Sequence, residues 1–179
     1  MVAVLLAVSA AAFAARSYSD RVGDVKGGSG PDLTSLTLSS TRTTVTFRVR
    51  FTHAPPLRAS TRDGWVDMLL IGIDVPPLGP LPVRPGGEWR GANFAVGTHG
   101  PSTTGLLVHL DRGTSRQVAR FRVVTRGSSL VFSIPRRALG NPSWFTFNAA
   151  VARELADGDA GGGVDVAPEH GTFRYLLAR

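Results

Sequence analysis

The sequence predicts an all-β fold: a single antiparallel β-sandwich of about nine strands, in jelly-roll or immunoglobulin-like layers. Three observations predict it. Apolar residues recur with a period of two in several runs, no ten-residue stretch beyond the N-terminus carries a helical stripe, and Gly and Pro clusters separate the runs.

The chain opens with MVAVLLAVSAAAFAA, an apolar run closing in Ala12-Phe13-Ala14. That small-x-small ending is what a signal peptidase accepts, and about 14 apolar residues are too few to span a bilayer comfortably. Residues 1–15 are therefore expected to be a signal peptide, and residues 16–179 one exported β-sandwich domain, secreted or in the cell envelope, with no transmembrane span in the mature chain. That length suits one core. There is no cysteine, so thiolate metal sites and disulfides are excluded.

The strongest strand signal is TTVTFRVRF, where Val45, Phe47, Val49 and Phe51 alternate with Thr44, Thr46, Arg48 and Arg50. The same alternation runs through VARFRVVT (118–125), SLVFSIP (129–135) and WFTFNAAVA (144–152). Weaker candidates are 33–39, 65–73, 92–97, 106–110 and 172–177. Arg126-Gly127-Ser128 reads as a hairpin turn, and Pro135 to Leu139, closed by Gly140-Asn141-Pro142, as one helical turn at most. Residues 53–64, 75–90 and 156–168 are irregular; five prolines and three glycines in VPPLGPLPVRPGGEWR forbid a central strand there.

The formal charge is +7, with Lys26 the only lysine. Such a chain is attracted to anionic wall polymers or acidic glycans. Its arginines lack the interleaved aromatics of nucleic-acid readers, so no specific nucleic-acid recognition is expected. Arg48, Arg50, Arg120 and Arg122 hold polar positions of two strands. On neighbouring strands they form a cationic strip for carboxylate or phosphate; otherwise they are ordinary solvent-facing residues.

Between the N-terminal run and the first strand, SYSDRVGDVKGGSGPDL gathers Asp20, Asp24 and Asp32 among glycines. Calcium takes six to eight oxygen ligands, and glycines let backbone carbonyls bend toward one point. The competing reading is that Asp and Gly are what surface turns are made of.

SDRVGDVKGGSGPDLTSLTLS followed by an alternating strand resembles the opening of exported bacterial β-sandwiches of the DOMON-like and family 9 carbohydrate-binding-module type. Gly91-Ala-Asn-Phe94, Ser133-Ile-Pro-Arg-Arg-Ala-Leu139, and Asp165-x-Ala-Pro-Glu-x-Gly171 with Phe173 and Tyr175 resemble their later elements in the same order. Where such proteins often carry a D-x-D-x-N turn, Asp74 here precedes Val-Pro-Pro. The resemblance implies that the first and last strands lie close together, which brings Asp165, Asp157 and Asp159 toward the N-terminal acids. The expected metal ligands are thus Asp20, Asp24, Asp32 and Asp165, with calcium as the cofactor.

For ligand binding the candidates are Trp89, Arg90 and Asn93, because a pyranose face stacks on an indole ring while its hydroxyls find polar partners; Trp65 and Trp144 are weaker candidates. The four histidines have no ligand-like spacing, and Met68 is assigned to the core rather than to haem ligation. Asp67, Asp74, Glu88 and Asp111 are the acids from which a glycosidase pair could be drawn, but no catalytic motif is recognisable and no catalytic residue is expected. The sequence thus reads as a non-catalytic exported module that binds carbohydrate and is stabilised by calcium. Its alternative is a structural or interaction protein of the cell envelope, holding anionic polymer or a partner domain through surface arginines.

Overall fold

The computed structural model describes residues 15–75, 91–111, 114–155 and 162–178. The expected signal peptide, apart from Ala15, lies outside the described residues. Twelve strands and one 3₁₀ turn make up the fold: β1 (Arg16–Ser19), β2 (Leu33–Ser40), β3 (Thr44–Phe51), β4 (Ala59–Ser60), β5 (Trp65–Asp74), β6 (Phe94–His99), β7 (Thr104–Asp111), β8 (Thr114–Arg126), β9 (Ser129–Pro135), the 3₁₀ turn Arg136–Leu139, β10 (Trp144–Leu155), β11 (Val164–Ala167) and β12 (Phe173–Leu176). No helix among the described residues is long and apolar enough to cross a membrane.

All pairings are antiparallel, in the order β1-β2-β3-β9-β8-β7-β6-β5-β10-β11, with β4 also on β5 and β12 also on β10. The result is one curled antiparallel sheet. Its two halves share β8, which pairs with β7 through Thr114–Arg122 and with β9 through Val123–Arg126. A bulge opposite Leu107 and Val108 accompanies the bend. Gly127, with φ +58°, opens the two-residue β8–β9 loop, and a positive φ there matches the twist of the flanking strands.

The alternating pattern sets the core as expected. Val45, Phe47, Val49 and Phe51 point inward with Leu130, Phe132 and Ile134, and with Phe145, Phe147, Ala149 and Val151. Phe132 stacks between Phe47 and Phe121, with centroids 5.3 and 4.9 Å away. Phe47 also lies 6.5 Å from Phe145 and 6.4 Å from Phe147. Since β3 and β10 are not sheet neighbours, these contacts are made by the sheet curling over on itself. Each fully buried ring contributes on the order of 1.5–3 kcal/mol relative to exposure. On β5 the inward positions are Leu69, Ile71 and Ile73, so Met68, expected in the core, is half-buried on the opposite face.

Asp67 also points inward and is 1 % exposed. Its register partner Arg153 supplies the counter-charge, with Nε 2.8 Å from Oδ1 and Nη2 3.2 Å from Oδ2, and the Arg58 amide donates to Oδ2. A buried charge is tolerated when paired and hydrogen-bonded in this way.

Two sets of contacts hold the ends of the sheet. Lys26, in the β1–β2 loop, pairs with Val164 of β11 through reciprocal backbone hydrogen bonds of 2.8 Å. There the loop lies backbone to backbone on Gly163, whose φ is +108°, and a Cβ built on Gly163 stands 2.8 Å from the Gly30 nitrogen. At the far end of β2, the buried Ser40 hydroxyl accepts from the Tyr175 hydroxyl and the Ala178 amide, each at 3.0 Å. The Tyr18 hydroxyl donates to the Arg174 carbonyl at 2.6 Å.

Gly163→Ala is expected to combine a disfavoured backbone angle with a steric clash, and to lower stability by more than about 1 kcal/mol. Chemical denaturation of the two proteins checks this.

Candidate metal centre

The β1–β2 loop is glycine-rich and acidic, and closing it onto β11 sets its carboxylates against that strand. Asp20 follows β1, with its amide donating to the Thr34 carbonyl at 3.0 Å. Asp24 lies two residues before the Lys26–Val164 pair, Asp32 immediately precedes β2, and Asp165 lies on β11. One carboxylate oxygen from each of Asp20, Asp24 and Asp165 lies within 4.8 Å of the others. Oxygens bound to one calcium ion at 2.3–2.6 Å stand at most about 5 Å apart, so the three fit one coordination sphere.

Asp165 is 2 % exposed, and its Oδ2 accepts from the Leu33 amide at 2.6 Å. Asp32 is 9 % exposed, and its Oδ2 accepts from the Gly23 amide at 3.0 Å. Three other carboxylate oxygens, Asp20 Oδ2, Asp24 Oδ1 and Asp32 Oδ1, are buried with no hydrogen-bond partner. Buried polar atoms are nearly always paired, and an unpaired buried carboxylate oxygen is costly. Among the described residues no ion pair offsets them: Arg21, next to Asp20, is exposed, and Lys26 has its ammonium 3.8 Å from Glu169, with both side chains exposed.

The electrostatics follow from this crowding. Burial, then the Asp165 carboxylate, pushes Asp20 up to about 7, with Asp24 and Asp32 adding to the rise. Burial likewise pushes Asp165 up to about 6; the Leu33 amide works against the rise, and Asp24 and Asp32 reinforce it. A cleft lined by Asp24, Lys26, Val164, Asp165, Val166 and Glu169 opens beside the cluster and gives an ion a path from solvent.

Of the four acids expected as ligands, Asp20, Asp24 and Asp165 come together directly. Asp32 lies close enough for its charge to raise both Asp20 and Asp165. Asp157 and Asp159 lie outside the described residues. Sequence reasoning has no signal for Thr52, whose buried hydroxyl has no partner among the described residues and whose amide donates to the Asp32 carbonyl. A lone threonine at the end of a strand carries no metal-binding signal.

Among the candidate sugar contacts, Trp89 and Arg90 lie outside the described residues. Asn93 is 2 % exposed, and its amide is committed to the chain: Oδ1 accepts from the Val75 amide, and Nδ2 donates to the Val75 carbonyl and to Asp74 Oδ1. It clamps the two ends of the 76–90 segment together. Trp65 and Trp144 are half-buried, with Arg153 and Arg174 stacked 3.6 and 4.3 Å from their ring centroids. Asp67 is held by Arg153, and Asp74 lies seven residues further along β5, about 23 Å in an extended strand. That separation is too long for a glycosidase pair. Burial raises Asp74 above the ordinary carboxyl range. No family model matches the chain, and no curated protein does.

A carboxyl whose folded pKa lies above its ordinary value contributes most at acid pH and loses that contribution as pH rises through the folded value. For Asp20 and Asp165 the loss runs from about pH 4 upward through about 6 and 7. In chelator the melting temperature is therefore expected to fall between pH 5 and pH 7.5. Asp20→Asn is expected to flatten that fall, as read by thermal melts across the pH series.

Proposed function

We propose that this chain is a non-catalytic, extracytoplasmic binding module of carbohydrate-binding type. In this reading the curled sheet closes as a sandwich, pinned by one calcium ion at Asp20, Asp24, Asp32 and Asp165. The observation that carries the reading is the group of three buried carboxylate oxygens, on Asp20, Asp24 and Asp32, that have no partner in the described chain. A hard divalent cation held by Asp20, Asp24 and Asp165 answers the Asp20 and Asp24 carboxylates at once, with Asp32 beside it. It also neutralises like charges crowded within one coordination sphere.

The remaining oxygens of a six- to eight-fold shell come from second carboxylate oxygens, backbone carbonyls of the glycine-rich loop and water. The ion's role is structural: it ties the β1–β2 loop to β11 and so fixes the rim of the sheet. Sugar recognition is assigned to the 76–90 segment, where Trp89 offers a ring for stacking and Arg90 a hydrogen-bonding fork. Support comes from the resemblance to DOMON-like and family 9 carbohydrate-binding modules and from the Asn93 clamp, which brings the segment's ends together.

Calcium at about a hundredfold excess over its Kd is expected to stabilise the fold by about 2.7 kcal/mol, a rise of roughly 5–10 °C in melting temperature for a domain of this size. Asp24→Asn and Asp32→Asn should abolish the rise. An identical melt in calcium and in chelator overturns the ion. Binding on a glycan array that disappears in Trp89→Ala supports the sugar assignment, and a signal indifferent to that change overturns it.

A further inference from the structure

The outer face of one half of the sheet is chemically uniform in a way the metal centre does not explain. Strands β1, β2, β3, β9 and β8 contain no Asp or Glu at all. Their inward positions fill the core. Arg48 and Arg50 on β3, and Arg120, Arg122 and Arg126 on β8, point outward and are exposed.

The two arginine rows are not hydrogen-bonded neighbours, because β9 lies between them. The registers nevertheless keep them on one face: Arg50 pairs with Ser129, which pairs with Arg126, and Arg48 pairs with Val131, which pairs with Val124. Arg50 and Arg126 thus stand about 9.5 Å apart across β9, and Arg122 and Arg120 continue the β8 row where that strand pairs with β7, with about 6.7 Å between successive outward positions along each strand. Hydroxyls fill most of the rest of the face, with Val131 and Val124 half-buried beside Arg48. Thr46 and Ser133 hydrogen-bond across strands at 2.7 Å, and Ser17 and Thr37 at 2.9 Å.

None of these five arginines is in an ion pair; the ion pairs of the described residues are Lys26–Glu169 and Arg153–Asp67. An ordinary soluble surface intersperses both signs of charge. Here only one sign is present, and nothing in the face neutralises it.

We infer that this face docks a linear acidic polysaccharide, with carboxylates in the guanidinium forks and sugar hydroxyls on the Ser and Thr side chains between them. Charge complementarity selects a polyanion, and planar forks select carboxylate or phosphate oxygens. The composition then separates the classes. Single-stranded nucleic acid is held by aromatic platforms on which bases stack, and no aromatic side chain points outward from these five strands. A lipid surface is met by an apolar face that enters the headgroup layer, whereas hydroxyls and guanidiniums dominate here. A flat row of hydroxyls beside charges matches a chain that is itself hydroxyl-rich and charged. This surface shares the carbohydrate class of the proposed function but uses neither the calcium centre nor Trp89.

Binding of a galacturonate decamer, too short to gel, tests the inference by calorimetry beside a neutral decamer, a deoxyoligonucleotide of equal charge and poly-glutamate. The galacturonate is expected to bind with a strong salt dependence and the neutral decamer not to bind. The double variants Arg48→Gln/Arg50→Gln and Arg120→Gln/Arg122→Gln are each expected to weaken binding at least tenfold with melting unchanged, since these side chains are exposed and unpaired. Arg62→Gln, at an exposed arginine away from this face, is expected to leave this binding intact. Unaltered affinity in both arginine variants overturns the inference, as does tighter binding of the oligonucleotide or the poly-glutamate. If Trp89→Ala alone abolishes binding, the carbohydrate module stands and the arginine face falls.

Discussion

The structure depends on the closure of the β1–β2 loop onto β11. Along the sheet β1 and β11 are the two ends of a ten-strand path, and this contact ties the loop that follows β1 to the edge strand β11. The reciprocal Lys26–Val164 hydrogen bonds and the Asp165–Leu33 hydrogen bond bring the ends together. The glycines at 30 and 163 permit the approach, because a side chain at either position meets backbone at 2.8 Å. Every feature of the acidic cluster follows. Three of its four carboxylates come from the loop and one from a strand more than a hundred residues away, so they converge only when the sheet has curled.

Charge is segregated in this molecule more than its net value suggests. The acids crowd at the rim where the sheet ends meet, and arginines cover an outer face whose five strands carry no acid. Among the described residues neither group neutralises the other, since the cluster's unpartnered oxygens hydrogen-bond to no arginine and the five outward arginines are in no ion pair. Where the fold does bury a charge for its own sake, at Asp67, it supplies a directly opposed arginine and a backbone amide. That contrast sharpens the reading of the two regions: the fold satisfies Asp67 fully and leaves the acidic cluster and the arginine face unsatisfied, which is what the proposed cation and polyanion would answer.

Much of the fold was legible because half-buried strands write their burial into alternate residues. All nine expected strands are present, and alternation alone puts Phe47, Phe132, Phe145 and Phe147 inward, where they lie. The three strands that escaped lack that pattern. RSYS buries Tyr18 alone, Ala59–Ser60 is two residues long, and VDVA has an aspartate at one of its two buried positions and an alanine at the other. The polar start of β8, TSRQ, hid how far that strand extends and with it the junction between the halves of the sheet. Strand order was equally hidden, since alternation states which face a residue takes and nothing about its neighbour; hence the arginine rows of β3 and β8 could not be placed on one face until β9 was found between them. The acidic centre was legible as composition, but its convergence rested on a resemblance, and the Thr52 hydroxyl had no signal at all.

The absence of cysteine gives the proposed ion a physical rationale. A cross-link stabilises mainly by restricting the unfolded chain, and the restriction grows with the length of the loop it closes. An ion shared by Asp24 and Asp165 closes a loop of about 140 residues, nearly the whole domain, where chain-entropy arguments give a disulfide its largest effect. Unlike a disulfide, the ionic link needs no oxidant, and its strength is set by the surroundings. Protons compete for the same carboxylates, since burial has already raised Asp20 and Asp165 toward neutrality. With the proposed ion, closure of the rim would be coupled to calcium and pH together: acid satisfies the cluster by protonation, calcium would satisfy it by ligation, and at neutral pH without an ion the repulsion among the acids works directly against the contact on which the fold depends.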